Sequence, residues 1–186
     1  MKITNIKIYG LEDSFKASKY PHSTDISKLN TEYTPTIATL AKTDLGTGHD
    51  NFLNGIVVQF DLTATLKFWP QLQRYHFIDF VSSQSTMHCI TKFDIKKQCN
   101  PYVSPKTIKI IEDLVKQYND NPTDENYLKV LYNIPSGFEL TARLTTNYRQ
   151  LKTIFHQRHS HKLVEWKMFC EVIKSLPQSH LITTIK

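Results

Sequence analysis

The chain has 186 residues, of which 40% are hydrophobic and 22% charged, and its formal net charge is +6. These proportions are typical of a globular protein and exclude an intrinsically disordered chain, while the apolar runs are too short to span a bilayer. The net charge favours anionic partners, but the lysines are dispersed and form no basic block, which argues against a nucleic-acid partner. The five glycines form neither a dinucleotide-binding nor a phosphate-loop pattern.

The cysteine content and the first residues bear on location. Met1–Asn5 shows no charged segment followed by an apolar stretch, so no secretory signal is expected. The cysteines are few and odd in number, at Cys89, Cys99 and Cys170. We therefore expect a cytoplasmic protein with reduced thiols and no membrane partner.

Hydrophobic periodicity predicts strands and helices in mixed order. Strands are predicted at 1–9, 55–62 and 77–82, and 138–145 fits either a strand or an extended approach to a helix. Helices are predicted from Thr34-Pro35 to a stop at Gly46, at 64–75, from Ser104-Pro105, and at 124–132, 147–155 and 163–176, with loops at 11–32 and 82–85. We expect an α+β (α/β-type) fold in which helices flank a central mixed or antiparallel sheet, as a single domain over residues 1–186.

The first candidate site combines the segment 71–76 with the hydroxyl-rich segment 82–88. Arginine offers a planar fork of donors, and hydroxyls with loop amides can surround phosphate oxygens. Arg74, the glutamine Gln71 and the serines of 82–85 therefore suit a phosphate and an amide-bearing base. The alternative is a polar loop between a helix and a strand.

The second candidate joins 147–150 with the histidine-rich segment 156–161. His156, His159 and His161 lack the one-face spacing of helical zinc ligands, and no cysteine or acidic pair accompanies them, so we predict no metal site. This basic segment fits an anion-binding site better than a metal site, and the alternative is an ordinary basic turn on the surface near a helix C-terminus. A third segment, 46–50, places a lone histidine in a glycine turn, which is usually a plain loop residue. Paired carboxylates and nucleophile motifs that would indicate a hydrolase are missing.

The order and spacing of these three segments resemble the flavin-dependent thymidylate synthases over about residues 45–176. The matching features are, in chain order, His49 in a turn before a strand, Gln71-Leu72-Gln73-Arg74 at the Gln-x-x-Arg motif, Ser83-Gln84-Ser85 at the Glu-Gln-Ser loop, and Asn147, Arg158 and Glu165 at the family's separation. Through Ser85–His88 and 156–166 the chain also resembles a group of uncharacterised phage-type proteins of this superfamily.

The resemblance implies a homotetramer whose active sites lie between subunits, a flavin adenine dinucleotide (FAD) cofactor and a deoxyuridine monophosphate (dUMP) substrate. It assigns FAD to His49, Arg74, His76 and Asn147. It assigns the nucleotide to Gln71, Arg74, Ser83, Gln84, Ser85, His88 and Arg158, and Arg158 is also the expected catalytic residue. In the family, reduced flavin helps to move a methylene group from methylenetetrahydrofolate to the uracil ring, with NADPH as the reductant.

Several residues depart from the family pattern. Tyr75-His76 is found where the family has His-Arg, and Met87 is found where it has the arginine of the serine loop. Leu131 occupies the position of a further arginine, and Asn54 occupies that of a glutamate. Each lost charge-assisted contact costs ~1.5–3 kcal/mol. If His76 and His88 substitute for the lost arginines, nucleotide binding weakens as the pH rises above about 6.5.

Three functions therefore compete. The first is a divergent enzyme that carries out flavin-dependent one-carbon transfer on a deoxyuridylate-type nucleotide. The second, ranked close to it, is a degenerate relative that binds or sequesters a nucleotide without flavin chemistry. The third is a nucleic-acid-binding module that uses the net charge with Tyr75, Phe77 and Phe80, but the alternation of Phe77 and Phe80 predicts them in the core.

Overall fold

The computed structural model describes residues 1–44 and 46–184. Within them, four strands form an antiparallel sheet in the order β1-β2-β4-β3. The strands are β1 (Lys2–Tyr9), β2 (Val57–Thr65), β3 (Asp79–Ser83) and β4 (Glu139–Asn147). The ten helices of the described residues are α1 (Leu11–Ala17), α2 (Pro35–Ala41), α3 (Trp69–Leu72), α4 (Thr86–Cys89), α5 (Ile95–Gln98), α6 (Pro105–Asp120), α7 (Asp124–Tyr132), α8 (Tyr148–Arg158), α9 (Val164–Ser175) and α10 (His180–Thr183). The α+β prediction is confirmed.

The chain folds into two compact units, each assembled from separate stretches. The first unit contains Met1–Lys2, Leu62–Arg74 and Phe80–Arg143, and the second contains Ile3–Asp61, Tyr75–Asp79 and Leu144–Lys186. The single domain over residues 1–186 stays a prediction. Positions 45, 185 and 186, which it includes, lie outside the described residues. No helix in the described part of the chain is long and apolar enough to cross a membrane.

The core of the first unit forms where α6 and α7 pack. Five buried side chains make up this core, namely Ile90, Ile95, Ile111, Val130 and Phe138. Both helices begin at hydroxyl caps: Ser104 Oγ accepts from Lys106 N at 3.3 Å, and Thr123 Oγ1 accepts from Asn126 N at 3.2 Å. The predicted starts of these helices are the observed ones because a cap is a local signal.

The core of the second unit includes one face of α9. Trp166, Phe169, Cys170 and Ile173 recur at helical spacing and are all buried. Phe169 meets Phe60 of β2 edge-on, with 5.9 Å between ring centroids. Burial raises the pKa of the Cys170 thiol to about 11, so this cysteine is a packing residue rather than a nucleophile.

The helix predicted over 64–75 is mostly wrong. β2 continues to Thr65, and α3 contains only Trp69–Leu72, with Pro70 in its first turn. Pairing with a distant segment outweighs the local pattern, because Leu66 N donates to Phe138 O at 2.9 Å. The Trp69 indole then closes the turn by donating to Ala64 O at 3.0 Å.

Other predicted elements need smaller corrections. The presumed loop 11–32 contains α1, which buries Phe15, and two short 3₁₀ helices at Tyr20–His22 and Ile26–Lys28. α2 ends at Ala41, before the predicted stop at Gly46, and the segment predicted over 138–145 forms the strand Glu139–Asn147. Phe77 and Phe80 are 58% and 39% exposed, so their assignment to the core is wrong. All five residues of β3, which lies at the edge of the sheet, are exposed.

Candidate functional site

Helix α8 carries most of the polar side chains of a cleft in the second unit. The helix begins where Asn147 Oδ1 accepts a hydrogen bond from Gln150 N at 2.8 Å. This cap starts the helix directly after β4 and directs Arg149, Gln150 and Thr153 to the cleft, while Lys152 turns inward. Asn147, assigned to FAD by the resemblance, thus has its carbonyl oxygen engaged in the cap.

The cleft has a volume of about 170 Å³ and is lined by Gly46, Asn54, Phe77, Arg149, Gln150 and Thr153. The backbone of Phe77 is fixed on both sides. Its N–H donates to Gln150 Oε1 at 3.4 Å, and its carbonyl accepts from Thr146 Oγ1 at 2.7 Å. The ring itself stays 58% exposed and meets His76 edge-on at 4.9 Å. The cleft therefore combines an aromatic surface with a guanidinium group.

A buried ion cluster lies next to this cleft. Asp50 is fully buried, and its two carboxylate oxygens bind different cations: Arg149 Nε at 3.1 Å from Oδ1 and Lys152 Nζ at 2.8 Å from Oδ2. Lys152 Nζ also donates to Thr43 O at 2.8 Å. The side chain of Lys152 is 4% exposed and that of Arg149 is 29% exposed. The cluster has one formal positive charge in excess.

Sequence reasoning missed this cluster. Asp50 is 99 residues from Arg149 and 102 from Lys152 along the chain, so no local spacing connects them. The sequence pointed to this cluster only in that Asp50 and Arg149 each belong to a candidate segment. The fold brings the third candidate segment, 46–50, and the second, 147–150, to the same cleft.

The residues of the second unit that were assigned to FAD lie within three positions along the chain of residues that line this cleft. His49 is exposed in the turn before Asp50, and His76 is exposed beside Phe77. Neither His49, His76 nor Asn147 lines the cleft itself. Arg74, the remaining FAD assignment, belongs to the first unit and is exposed.

Arg158, the predicted catalytic residue, packs among aromatic side chains of the second unit. Its Nε donates to the Tyr75 hydroxyl at 2.7 Å, and that hydroxyl donates to Gln157 Oε1 at 3.0 Å. The guanidinium lies 4.8 Å from the centroid of the Trp166 ring. Trp166 is fully buried, and Arg158 is half-buried. The Tyr75 hydroxyl thus joins Arg158 to Gln157.

The histidines of the second candidate segment make local contacts. His161 Nδ1 accepts from Leu163 N at 3.0 Å, and the His159 ring stacks on Phe155. His156 Nε2 is buried without a hydrogen-bond partner among the described residues. Desolvation lowers the pKa of His156, and the positive charges of Lys152 and His159 lower it further. In the described residues, no three His, Cys, Asp or Glu side chains could together hold a metal ion.

In the first unit, a second cleft of about 180 Å³ contains two of the residues assigned to the nucleotide. Ser83 and Gln84 line it together with Leu66, Trp69, Gln73, Phe80 and 140–142. Gln84 is tied to β4, since Thr141 N donates to its Oε1 at 2.8 Å and its own N donates to Thr141 O at 2.9 Å. The remaining assigned residues of this unit do not line the cleft: Gln71 and Ser85 are half-buried, and Arg74 and His88 are exposed.

Comparison with known proteins shows the fold. No protein-family model and no curated protein matches the chain. Two crystal structures of the flavin-dependent thymidylate synthase ThyX of Helicobacter pylori, both with FAD and dUMP, superpose with TM-scores of 0.76 and 0.78. Each is 13% identical to this chain, and each match covers 98% of this chain and 97% of the other. The chain therefore has a flavin-dependent thymidylate synthase-like fold.

Proposed function

We propose that this protein is a divergent flavin-dependent thymidylate synthase-like enzyme that binds FAD and a deoxyuridylate-type nucleotide. The observation that carries the proposal is the cleft that is lined both by Phe77, whose ring is exposed, and by Arg149. A cleft that offers a ring surface and a cation suits a ligand that joins a heterocycle to a phosphate. The two Helicobacter pylori structures with the same fold contain two such ligands.

The dimensions of the cleft limit what it holds. Pockets that enclose a whole drug-sized ligand measure ~300–1,000 Å³, and this cleft measures about 170 Å³. It therefore fits one part of a dinucleotide, namely a ring with its adjoining phosphate. His49 and His76, exposed near it in sequence, are proposed to contact other parts of FAD.

The reaction proposed is a one-carbon transfer from methylenetetrahydrofolate to the nucleotide, with NADPH as the reductant. Bound FAD supplies the redox chemistry, which amino-acid side chains do not provide. The protein groups bind and orient: Arg149 holds a phosphate, Phe77 presents its ring, and Arg158 is proposed to contact the nucleotide. Gln71, Arg74, Ser83–Ser85 and His88 stay predicted nucleotide contacts.

A second candidate function is a degenerate relative that binds a nucleotide without flavin chemistry. The contacts of Arg158 favour it, because Tyr75 and Trp166 already engage this guanidinium. The Trp166 ring covers one face of this guanidinium, so that face is no longer open to a nucleotide ring. Such a protein would gain thermal stability from a nucleotide yet retain no flavin.

The absorbance spectrum of the purified protein separates these two functions. It is recorded before FAD is added, and again after FAD is added and the protein is desalted. The enzyme predicts a retained flavin band that is lost in Arg149→Met and kept in the surface control Lys174→Met. Thymidylate formation from dUMP, methylenetetrahydrofolate and NADPH is then assayed. A wild-type protein that retains no flavin but is stabilised by dUMP supports the degenerate relative.

A further inference from the structure

The buried cluster of Asp50, Lys152 and Arg149 has a role beyond joining two segments of the second unit. We propose that Asp50 and Lys152 are positioning residues, which hold the Arg149 guanidinium in one orientation toward a ligand phosphate in the cleft. The inference rests on the proposed function, because it takes a ligand phosphate in the cleft as the group that the oriented Arg149 binds.

The orientation follows from which atoms Asp50 uses. A free arginine side chain samples many rotamers, and ordering it on ligand binding costs conformational entropy. Asp50 Oδ1 accepts from Arg149 Nε at 3.1 Å. Because Asp50 is fully buried, water does not compete for this hydrogen bond at the carboxylate. Because Nε is engaged, the two terminal amino groups of the guanidinium are left to bind a ligand. The entropy cost is thereby met before the ligand arrives.

Lys152 is the counter-ion that offsets the cost of burying the Asp50 carboxylate, and it leaves the cluster with one excess positive charge. A carboxylate taken fully out of water needs a close counter-ion, and the half-exposed Arg149 alone is a weak one. Lys152 Nζ contacts Oδ2 at 2.8 Å and is itself fixed by Thr43 O, at the same distance. With Asp50 neutralised by Lys152, the excess positive charge resides on Arg149. Arg149 is the most exposed member of the cluster and lines the cleft.

The competing explanation is a purely structural cluster that fastens residues 43–50 to α8. Both explanations predict a loss of stability when Asp50 alone is changed, since Lys152 is then a buried, unpaired cation. The informative variant is the double substitution Asp50→Leu with Lys152→Met, since leucine has no oxygen that could accept from Arg149 Nε. It removes both buried charges together, keeps the formal charge of the cluster unchanged and leaves Arg149 in place.

Two measurements test the proposal. The first is the ¹⁵N–¹H spectrum of arginine Nε groups in the unliganded protein, which contains only four arginines, with Arg149→Lys identifying the Arg149 signal. We expect a signal protected from solvent exchange in the wild type and lost in the double variant. The second is FAD affinity in a double-mutant cycle with Arg149→Met. We expect about tenfold weaker binding in the double variant and a smaller loss from Arg149→Met in the double variant than in the wild type.

The outcomes are distinguishable. Additive losses of FAD affinity in the cycle, or an Arg149 signal that is unprotected in the wild type, would overturn the positioning role. A protected signal in a protein that binds no FAD keeps Asp50 as the residue that orients Arg149 but refutes the proposed function. The exposed pair Lys174 and Glu171, changed to Met and Gln, is the matched control and should alter neither measurement.

Discussion

At the scale of single residues, Arg158 has structural contacts besides the ligand contact that is predicted for it. A residue that only contacts a ligand leaves the unliganded protein unchanged when it is truncated. Here the guanidinium makes a hydrogen bond to Tyr75 and lies over the ring of the buried Trp166. Both contacts exist before any ligand is bound, so Arg158 contributes to stability as well.

We predict that Arg158→Ala lowers the free energy of unfolding by about 1–2 kcal/mol, the combined value of one hydrogen bond and one cation–π contact. Urea denaturation measures this loss, and the thermal shift with dUMP measures ligand binding separately. Tyr75→Phe is the matched variant, since it removes only the hydroxyl and should cost about half as much. An unchanged unfolding midpoint in Arg158→Ala would show that the aromatic contacts carry no stability.

His156 gives a pH dependence with a definite sign. Burial lowers the pKa of His156 in the folded protein below its usual value of 6.5, and the charge of Lys152 adds to this effect. The unfolded chain therefore binds a proton more readily than the folded protein does. The contribution of His156 to stability is present above about pH 6.5 and is lost as the pH falls through the folded pKa.

We expect His156→Leu to reduce the fall in unfolding free energy between about pH 7.5 and about pH 5.5. His22→Gln, at an exposed position outside α8, is the control and should keep that fall. Chemical denaturation at both pH values provides the measurement. If His156→Leu loses as much stability as the wild type on acidification, His156 is not the titrating group.

At the scale of secondary-structure elements, substitutions of Asn147 can separate its role as the cap of α8 from the FAD contact predicted for it. Its Oδ1 caps α8, the helix that carries Arg149. Asn147→Ala should cost about 1 kcal/mol of stability because the cap is lost, while Asn147→Ser should keep it. FAD affinity then isolates the amide group, since serine supplies the cap oxygen without adding a charge. Equal destabilisation by both substitutions would show that the cap is unimportant.

The turn between β1 and α1 depends on a glycine. Gly10 has a φ of +72°, and a Cβ at this position would lie 2.5 Å from the carbonyl oxygen of Gly55. Gly46 also has a positive φ, +96°, but a Cβ there meets nothing within 4 Å. Gly46→Ala should therefore cost about 1 kcal/mol from backbone strain alone. Gly10→Ala should cost clearly more, because the backbone must also move; equal melting temperatures would contradict this reading of the turn.

At the scale of the whole molecule, self-association is the open prediction. β3 is an edge strand whose residues are all exposed, and among them Val81 is 60% exposed. Exposed apolar edge strands are sites where chains pair unless something covers them. We expect light scattering to give a mass near four times that of one chain, in line with the predicted homotetramer. Val81→Lys should lower this mass, whereas an unaltered tetramer would place the interface elsewhere.

The sequence allowed much of the fold and less of the site to be predicted. Helix starts at Ser104-Pro105 and before Asp124 were readable because caps and apolar stripes are local signals. The helix over 64–75 was wrong because pairing at Leu66 depends on a strand more than seventy residues away. Phe77 and Phe80 were misplaced because alternation identifies the two faces of a strand but not whether either face is covered.

What the sequence determined by itself was the α+β class, the starts of the helices at Pro105 and Asp124, and the spacing that resembles flavin-dependent thymidylate synthases. These depend on residues close together in the chain or on their order along it. Only the tertiary structure decided that Asp50 is a buried counter-ion for Arg149 and Lys152, and that Tyr75 holds Arg158. An aspartate in a glycine turn is normally solvated, and burial together with the approach of distant cations is a property of the folded chain alone.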